Sequence, residues 1–284
     1  MKHIIPLLLL QLLLFMSGVP THAQRTKSSL KSGEQRKAEK GLKDNRYFFY
    51  FINSSVTNFG TDEEKKRFKE AVQRDIISQL LYMRFMFPES YGEIRKTQKI
   101  LIDLYRATLL RDIDASRELL NQFAPVIINF HDNTAIEYLR LGYRDLKVAQ
   151  TYLTMADNFR EKLYSMKLYK YVHAIKNAKH GKRYGFVAML LTIDLMEVQR
   201  EASKYSQYEF THQILDTKAR IKGISFEDLE KRLTEIPPPD KREYYRTVYL
   251  DSYYRTNIKK SLYDEIWEQP HLNEIKEYQE YLNE

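Results

Sequence analysis

Apolar side chains recur at intervals of three and four residues along almost the whole chain from Asp44 onward. This spacing places them on one face of an α-helix, whereas a half-buried strand requires strict alternation. Only 9 glycines and 8 prolines interrupt the 284 residues, and the β-branched residues do not alternate. The pattern therefore predicts an all-α fold, an elongated multi-helix bundle that contains tetratricopeptide-like helix pairs.

Capping residues and helix breakers mark several of the predicted helix boundaries. Thr61 and Glu64 have the spacing of a capping box, at the start of a helix that is expected to end at Pro88. Residues 134–157 look like a helix pair that crosses near Gly142. No second copy follows at a period of about 34 residues, so the sequence does not predict a repeat array.

The first 24 residues have the pattern of a secretory signal peptide. Lys2 gives a basic start, an apolar run occupies residues 4–15, and the small residue Ala23 precedes Gln24. The run is shorter than the roughly 20 residues that a membrane-spanning helix needs. We expect cleavage after Ala23, so that residues 1–23 are removed and the mature protein is exported without insertion into a membrane.

Cysteine is absent from the sequence, which excludes disulfides, thiolate chemistry and a lipid-bearing cysteine. The chain is long enough to bury a core without disulfides. Its formal net charge of +8 at pH 7 favours an anionic partner surface. Nucleic acid is not the expected partner of an exported protein, so these properties favour a periplasmic protein that binds other proteins.

Changes in composition divide the mature chain into three segments. Residues 24–43 are rich in lysine and arginine and poor in apolar side chains, which predicts a basic disordered arm. Two interpretations of this arm stay open, a tether to an acidic neighbour and a solvated spacer. Residues 44–223 form the predicted main helical domain, and residues 224–284 form a tyrosine-rich C-terminal helical segment.

Two groups of residues are candidate protein-interaction sites. The basic group consists of Lys176, Lys179, Lys182 and Arg183. It is either a contact patch for an acidic partner or the solvated end of a helix. The aromatic-basic group belongs to residue types that are enriched in protein interfaces, although core packing is the alternative for its rings. Its members are Tyr244, Tyr245, Arg246, Tyr253, Tyr254, Arg255 and Trp267.

The sequence offers little support for catalysis or metal binding. No H-E-x-x-H or H-x-x-x-H pair brings two histidines to metal-ligand spacing, and no G-x-S-x-G pattern marks a nucleophilic serine. We therefore expect a non-enzymatic protein with no catalytic residue, no metal site and no cofactor. A cell-wall hydrolase that uses two distant carboxylates is unsupported rather than excluded.

Three stretches resemble helical proteins of the spirochaete flagellar coiling family: residues 136–146, 162–168 and 178–184. The similarity extends over roughly residues 45–200. Proteins of that family form the sheath of leptospiral periplasmic flagella. The resemblance implies a structural subunit that contacts other sheath and filament proteins, and copies of itself, in a lattice around the filament. It also implies a role in filament coiling and motility.

A second hypothesis for the function stays open. A periplasmic tetratricopeptide-like adaptor would bind a peptide or an envelope protein in a concave helical groove. Such an adaptor would be recovered with a soluble partner, whereas a sheath protein would be recovered with filaments.

Overall fold

The computed structural model describes residues 21–225, 228–229 and 261–282, with side chains from residue 33 onward. Within these ranges it has eight α-helices, two 3-10 turns and no strand, so the predicted all-α fold is confirmed. The helices are α1 Thr21–Phe59, α2 Asp62–Met83, α3 Phe87–Phe130, α4 Asn133–Asp157, α5 Tyr164–Arg200, α6 Gln207–Lys222, α7 Leu262–Glu268 and α8 Lys276–Leu282. Residues 1–20 of the predicted signal peptide lie outside the described residues.

The first helix replaces the disordered arm that we predicted for residues 24–43. α1 continues without a break to Phe59, and it buries a row of residues spaced three and four apart. The row consists of Ala38, Gly41, Asn45, Phe48 and Ile52. The prediction of a disordered arm is wrong because the first members of the row are small or polar. The sequence therefore shows no apolar periodicity at these positions. Gly41 nevertheless packs against Ile94 of α3.

The five long helices alternate in direction because short connections of two to six residues join them. At the α2–α3 turn, Ser90 Oγ donates to the Ser78 carbonyl oxygen at 2.8 Å. Further from the turn, Arg67 of α2 pairs with Asp103 of α3 at 2.6 Å. These pairs show that α2 and α3 are antiparallel, and α1, α3 and α5 accordingly run in one direction.

A single apolar core joins α1 to α5. The 44-residue helix α3 is about 66 Å long and contacts the four other long helices. The rings of Tyr105 and Tyr171 stack at 6.2 Å between centroids, and the Tyr105 hydroxyl donates to the Phe48 carbonyl oxygen at 2.5 Å. α1, α3 and α5 therefore meet at these three buried residues.

The helix pair that we predicted within residues 134–157 is one continuous helix, α4, and the crossing at Gly142 is made with α5. A Cβ atom on Gly181 would lie 2.9 Å from the Gly142 carbonyl oxygen. A Cβ atom on Gly142 would lie 3.1 Å from the Gly181 carbonyl oxygen. Gly142 therefore marks a close approach of two helix backbones rather than a turn.

The substitution Gly181→Ala is expected to lower the free energy of unfolding by about 1–2 kcal/mol. Alanine favours a helix over glycine by about 1 kcal/mol, but the added methyl must push two backbones apart. Gly92→Ala is the matched control, since nothing lies within 4 Å of a Cβ atom there. It should raise the free energy of unfolding by about 0.5–1 kcal/mol. Urea denaturation measures both variants, and effects of the same sign would contradict the crossing.

Candidate interaction surfaces

The basic group that the sequence singled out lies on α5, and two of its four members face the interior. Lys179 and Lys182 are buried, and Lys179 Nζ donates to Ser54 Oγ of α1 at 3.1 Å. Lys176 is half buried, with Nζ 4.2 Å from the centre of the Phe51 ring in a cation–π contact. The predicted contact patch is wrong for Lys179 and Lys182, because α5 is covered by neighbouring helices where the sequence suggests a solvated end.

Arg183, the last member of the basic group, borders a cavity of about 210 Å³ between α4, α5 and the end of α6. Its guanidinium donates to the Ile224 carbonyl oxygen at 3.3 Å. The rings of Tyr138 and Tyr184 stack beside the cavity at 6.2 Å. The structure therefore separates the basic group into two interior lysines, a lysine over an aromatic ring and one arginine at a cavity.

Most of the aromatic-basic group lies outside the described residues. This applies to Tyr244, Tyr245, Arg246, Tyr253, Tyr254 and Arg255. Trp267 is described on α7, where it is half buried and packs against the core. The neighbouring Tyr263 ring lies 6.1 Å from Trp267 and 5.2 Å from Phe49 of α1. Core packing, the alternative that the sequence left open, therefore accounts for Trp267.

The C-terminal helix α8 is attached to α2 and α3 by a network of charged side chains. Glu93 is fully buried and pairs with Arg74 at 3.0 Å and with Lys96 at 2.7 Å. Glu277 pairs with the same two cations at 3.4 and 3.2 Å, and the Tyr281 hydroxyl donates to Glu93 at 3.0 Å. Burial opposes the charge on Glu277, but its backbone N–H, Lys96 and Arg74 outweigh this effect and lower its pKa to about 2.

Sequence reasoning missed this network because its partners are far apart in the chain. Lys96 and Glu277, for example, are separated by 181 residues. Only pairs three or four residues apart, such as Glu93 with Lys96, leave a signal in the sequence. The network identifies residues 261–282 as part of the same packed body as α2 and α3, since Ile266 also joins the main core.

A second buried polar network links α1, α2, α3 and α5. Asn45 donates to the Asp75 carboxylate at 2.8 Å and accepts from Gln98 at 3.1 Å. Gln98 also accepts from the Ser165 hydroxyl at 3.3 Å, and Asp75 accepts from Gln79 at 3.1 Å. Burial raises the pKa of Asp75 to about 6, although both amide donors favour its charged form. Satisfied buried networks of this kind hold helices in one arrangement.

Among the described residues, the large apolar side chain with the highest exposed fraction lies at the turn between α2 and α3. Phe85 is 80% exposed there, and its neighbour Met83 is 64% exposed. Tyr208 on α6 is also 73% exposed, but its ring packs edge-on against His212 of the same helix, at 4.2 Å between centroids. Single apolar residues are common on protein surfaces, whereas neighbouring ones indicate a binding surface more often.

Two further features bear on function within the described ranges. No cluster of three or more histidine, aspartate or glutamate side chains there could hold a metal ion. The helices described there include none whose length and apolar character would let it cross a membrane. The absence of enzymatic activity stays a prediction from the sequence.

Together these features define an all-α bundle that exposes an aromatic side chain at one helix turn. A model of the surface protein adhesin OmpL37 family matches residues 32–281. The chain belongs to this family. Searches of the curated proteins and of the solved structures found no match to the chain.

Family membership refines what the resemblance implied. The match supports a spirochaete protein, exported or at the surface, that interacts with other proteins. It is a match to an adhesin family and not to the flagellar coiling family specifically. The matched range also includes residues 32–43, in agreement with the helical packing of that segment.

Proposed function

We propose that this chain is a non-enzymatic, exported adhesin that binds a protein partner at the cell surface. The family match over residues 32–281 carries this proposal. The net charge of +8 is consistent with it, because a basic protein is attracted to acidic partner surfaces.

The packing of the bundle also supports a binding role. One continuous core joins the five long helices, and the networks around Glu93 and Asp75 tie the helix ends together. A framework of this kind holds its exposed side chains in fixed positions. Binding then requires less ordering of the protein, which favours affinity.

The flagellar sheath role is a second proposal, and it rests on the resemblance in three stretches, of which residues 136–146 are the first. This stretch forms the first half of α4, whose outer face carries the exposed pair Glu137 and Arg140, with 2.6 Å between their charged groups. Tyr143 on the same helix donates to Asn121 at 2.7 Å at the surface. Identical outer faces of this kind form lattices when copies associate head to tail.

The location of the chain on intact cells distinguishes the two proposals. An adhesin is expected to be digested when intact cells are treated with proteinase K, while a periplasmic control protein stays whole. A sheath protein is expected to resist digestion and to be recovered with detergent-washed flagella. Recovery in the soluble periplasmic fraction would contradict both proposals and favour the adaptor.

Binding of the purified chain, beginning at residue 24, tests the adhesin proposal directly. We expect saturable binding to the cell-free extracellular matrix of cultured fibroblasts at an ionic strength of about 0.15 M. Acidic polysaccharide in such a matrix attracts any basic protein, so matrix treated with glycosaminoglycan lyases is the control. Saturable binding that survives this treatment supports a protein partner, and its complete loss contradicts one.

A further inference from the structure

The turn between α2 and α3 contains a phenylalanine in a backbone conformation that suits glycine. Phe85 has φ of 64°, in the left-handed region. Its N–H donates to the Tyr82 carbonyl oxygen at 3.0 Å, and the Met86 N–H donates to the Leu81 carbonyl oxygen at 3.0 Å. These two bonds form a Schellman motif, in which glycine usually occupies the left-handed position.

Neither the backbone nor the core accounts for phenylalanine at position 85. A Cβ atom is disfavoured in the left-handed region, and the ring is 80% exposed. Its aromatic neighbour Phe87 meets it edge-on at 6.1 Å between centroids. The inward contact that often accompanies a Schellman motif is made by Met86, which packs against the small apolar cluster of Ile77, Leu81 and Ile275. The Phe85 ring is therefore available to a partner.

The residues around Phe85 indicate the chemistry of that partner. Met83 extends the apolar surface, and the exposed Arg84 has no ion-pair partner among the described residues. Tyr281 of α8 packs on the same apolar cluster as Met86, and α8 also carries the exposed Glu280. An anionic lipid surface requires a cluster of cations, whereas this end of the bundle has mixed charge. Phenylalanine, methionine and arginine are among the residue types enriched in protein interfaces.

We propose that Phe85, together with Met83, inserts into an apolar pocket of a protein partner, and that Arg84 pairs with a carboxylate at the rim of that pocket. This inference rests on the adhesin function proposed above and names its contact residues. According to this inference, Phe85 contributes to binding from a backbone conformation that is unfavourable in the free protein.

The variant Phe85→Gly tests the inference because it separates binding from stability. Glycine suits the left-handed position, so the thermal unfolding midpoint is expected to stay the same or to rise. Binding to lyase-treated matrix should weaken at least about tenfold, as for the loss of a hot-spot residue. Arg84→Glu should also weaken binding, through charge repulsion at the rim.

The variant Tyr208→Ala is the matched control, since it removes a ring that is 73% exposed on a regular helix. Its binding is expected to equal that of the wild type. Equal binding by Phe85→Gly and the wild type would overturn the proposed role of Phe85 in binding and leave the adhesin function standing. Lack of binding by the wild type would overturn both.

Two further outcomes would overturn a protein partner in the matrix. One is binding to vesicles of phosphatidylcholine and phosphatidylglycerol that depends on Phe85, which would indicate a lipid surface. The other is a dimer in sedimentation that Phe85→Gly abolishes, which would indicate a second copy of this chain. Binding to matrix by a monomer that ignores such vesicles supports the inference.

Discussion

Replacing Arg74 with methionine is expected to lower the free energy of unfolding by about 3 kcal/mol. Glu93 is fully buried, and Arg74 is the partner that shares its burial, at 3.0 Å. Without Arg74 the Glu93 carboxylate keeps only the more exposed Lys96 and the Tyr281 hydroxyl. A buried charge with incomplete pairing destabilises the folded state, because water cannot replace the missing partner. Urea denaturation followed by circular dichroism measures the loss.

Two controls distinguish this network from an ordinary surface ion pair. Arg67→Met breaks the solvent-exposed pair with Asp103 and should cost less than about 1 kcal/mol. The double variant Arg74→Met with Glu93→Gln removes the buried charge together with its partner. It should recover a substantial part of the stability that Arg74→Met loses. If the double variant is as unstable as Arg74→Met alone, the uncompensated charge is not the cause.

The substitution Arg74→Met is also expected to loosen α8, because Arg74 pairs with Glu277 of that helix. Limited proteolysis under native conditions should cleave the Arg74→Met variant near its C-terminus faster than the wild type. The Arg67→Met control should be cleaved at the wild-type rate. Equal rates for all three proteins would contradict the role of this network in holding the C-terminal helix.

The free energy of unfolding is expected to fall as the pH rises from about 4 to about 6, because of Asp75. Its pKa is raised from 3.8 to about 6 in the folded protein, so the folded state binds more protons than the unfolded state in this window. The stability is present below the unfolded pKa and is lost as the pH rises through the folded pKa. The size of the effect is about 3 kcal/mol.

The variant Asp75→Asn should abolish this dependence. The amide keeps the hydrogen bond from Asn45, and Gln79 can rotate its own amide to match. We expect the variant to be more stable than the wild type by about 2–3 kcal/mol near pH 8 and similar to it near pH 4. Urea denaturation across this range measures the difference.

The other charged groups near Asp75 do not obscure its effect on stability between pH 4 and pH 6. Arg46 favours its charged form, and Tyr263 has a pKa raised to about 12, well above the range tested. The pKa of Glu277 is lowered from 4.5 to about 2, so its contribution is lost only as the pH falls below about 4.5. An Asp75→Asn variant that keeps the wild-type dependence between pH 4 and 6 would disprove the assignment.

Helix boundaries were predictable wherever a local capping signal exists. The Glu64 N–H donates to Thr61 Oγ1 at 3.2 Å, and the Thr61 N–H donates to the Glu64 carboxylate at 2.8 Å, so the predicted capping box is present. The same signal, Ser206 with Glu209, begins α6 and could have located the break before it. Capping involves residues three apart, which is why the sequence alone is sufficient to recognise it.

Backbone conformation and burial were harder to predict. The left-handed Phe85 could not be recognised, because glycine is the usual signal for that position. Lys179 reads as a solvated cation in the sequence, yet it is buried beside Ser54, 125 residues away. In both cases the residue type disagrees with its environment, and such disagreements are expected at strained or functional positions.

The sequence by itself determined the helical fold and the apolar faces that form its core. It could do so because helix formation and capping depend on residues within one or two turns of each other. Only the tertiary structure decided that α1 begins before residue 44, that Lys179 and Lys182 of α5 face the interior and that α8 is held beside Glu93. These features depend on contacts between residues far apart in the chain, whose burial no local spacing records.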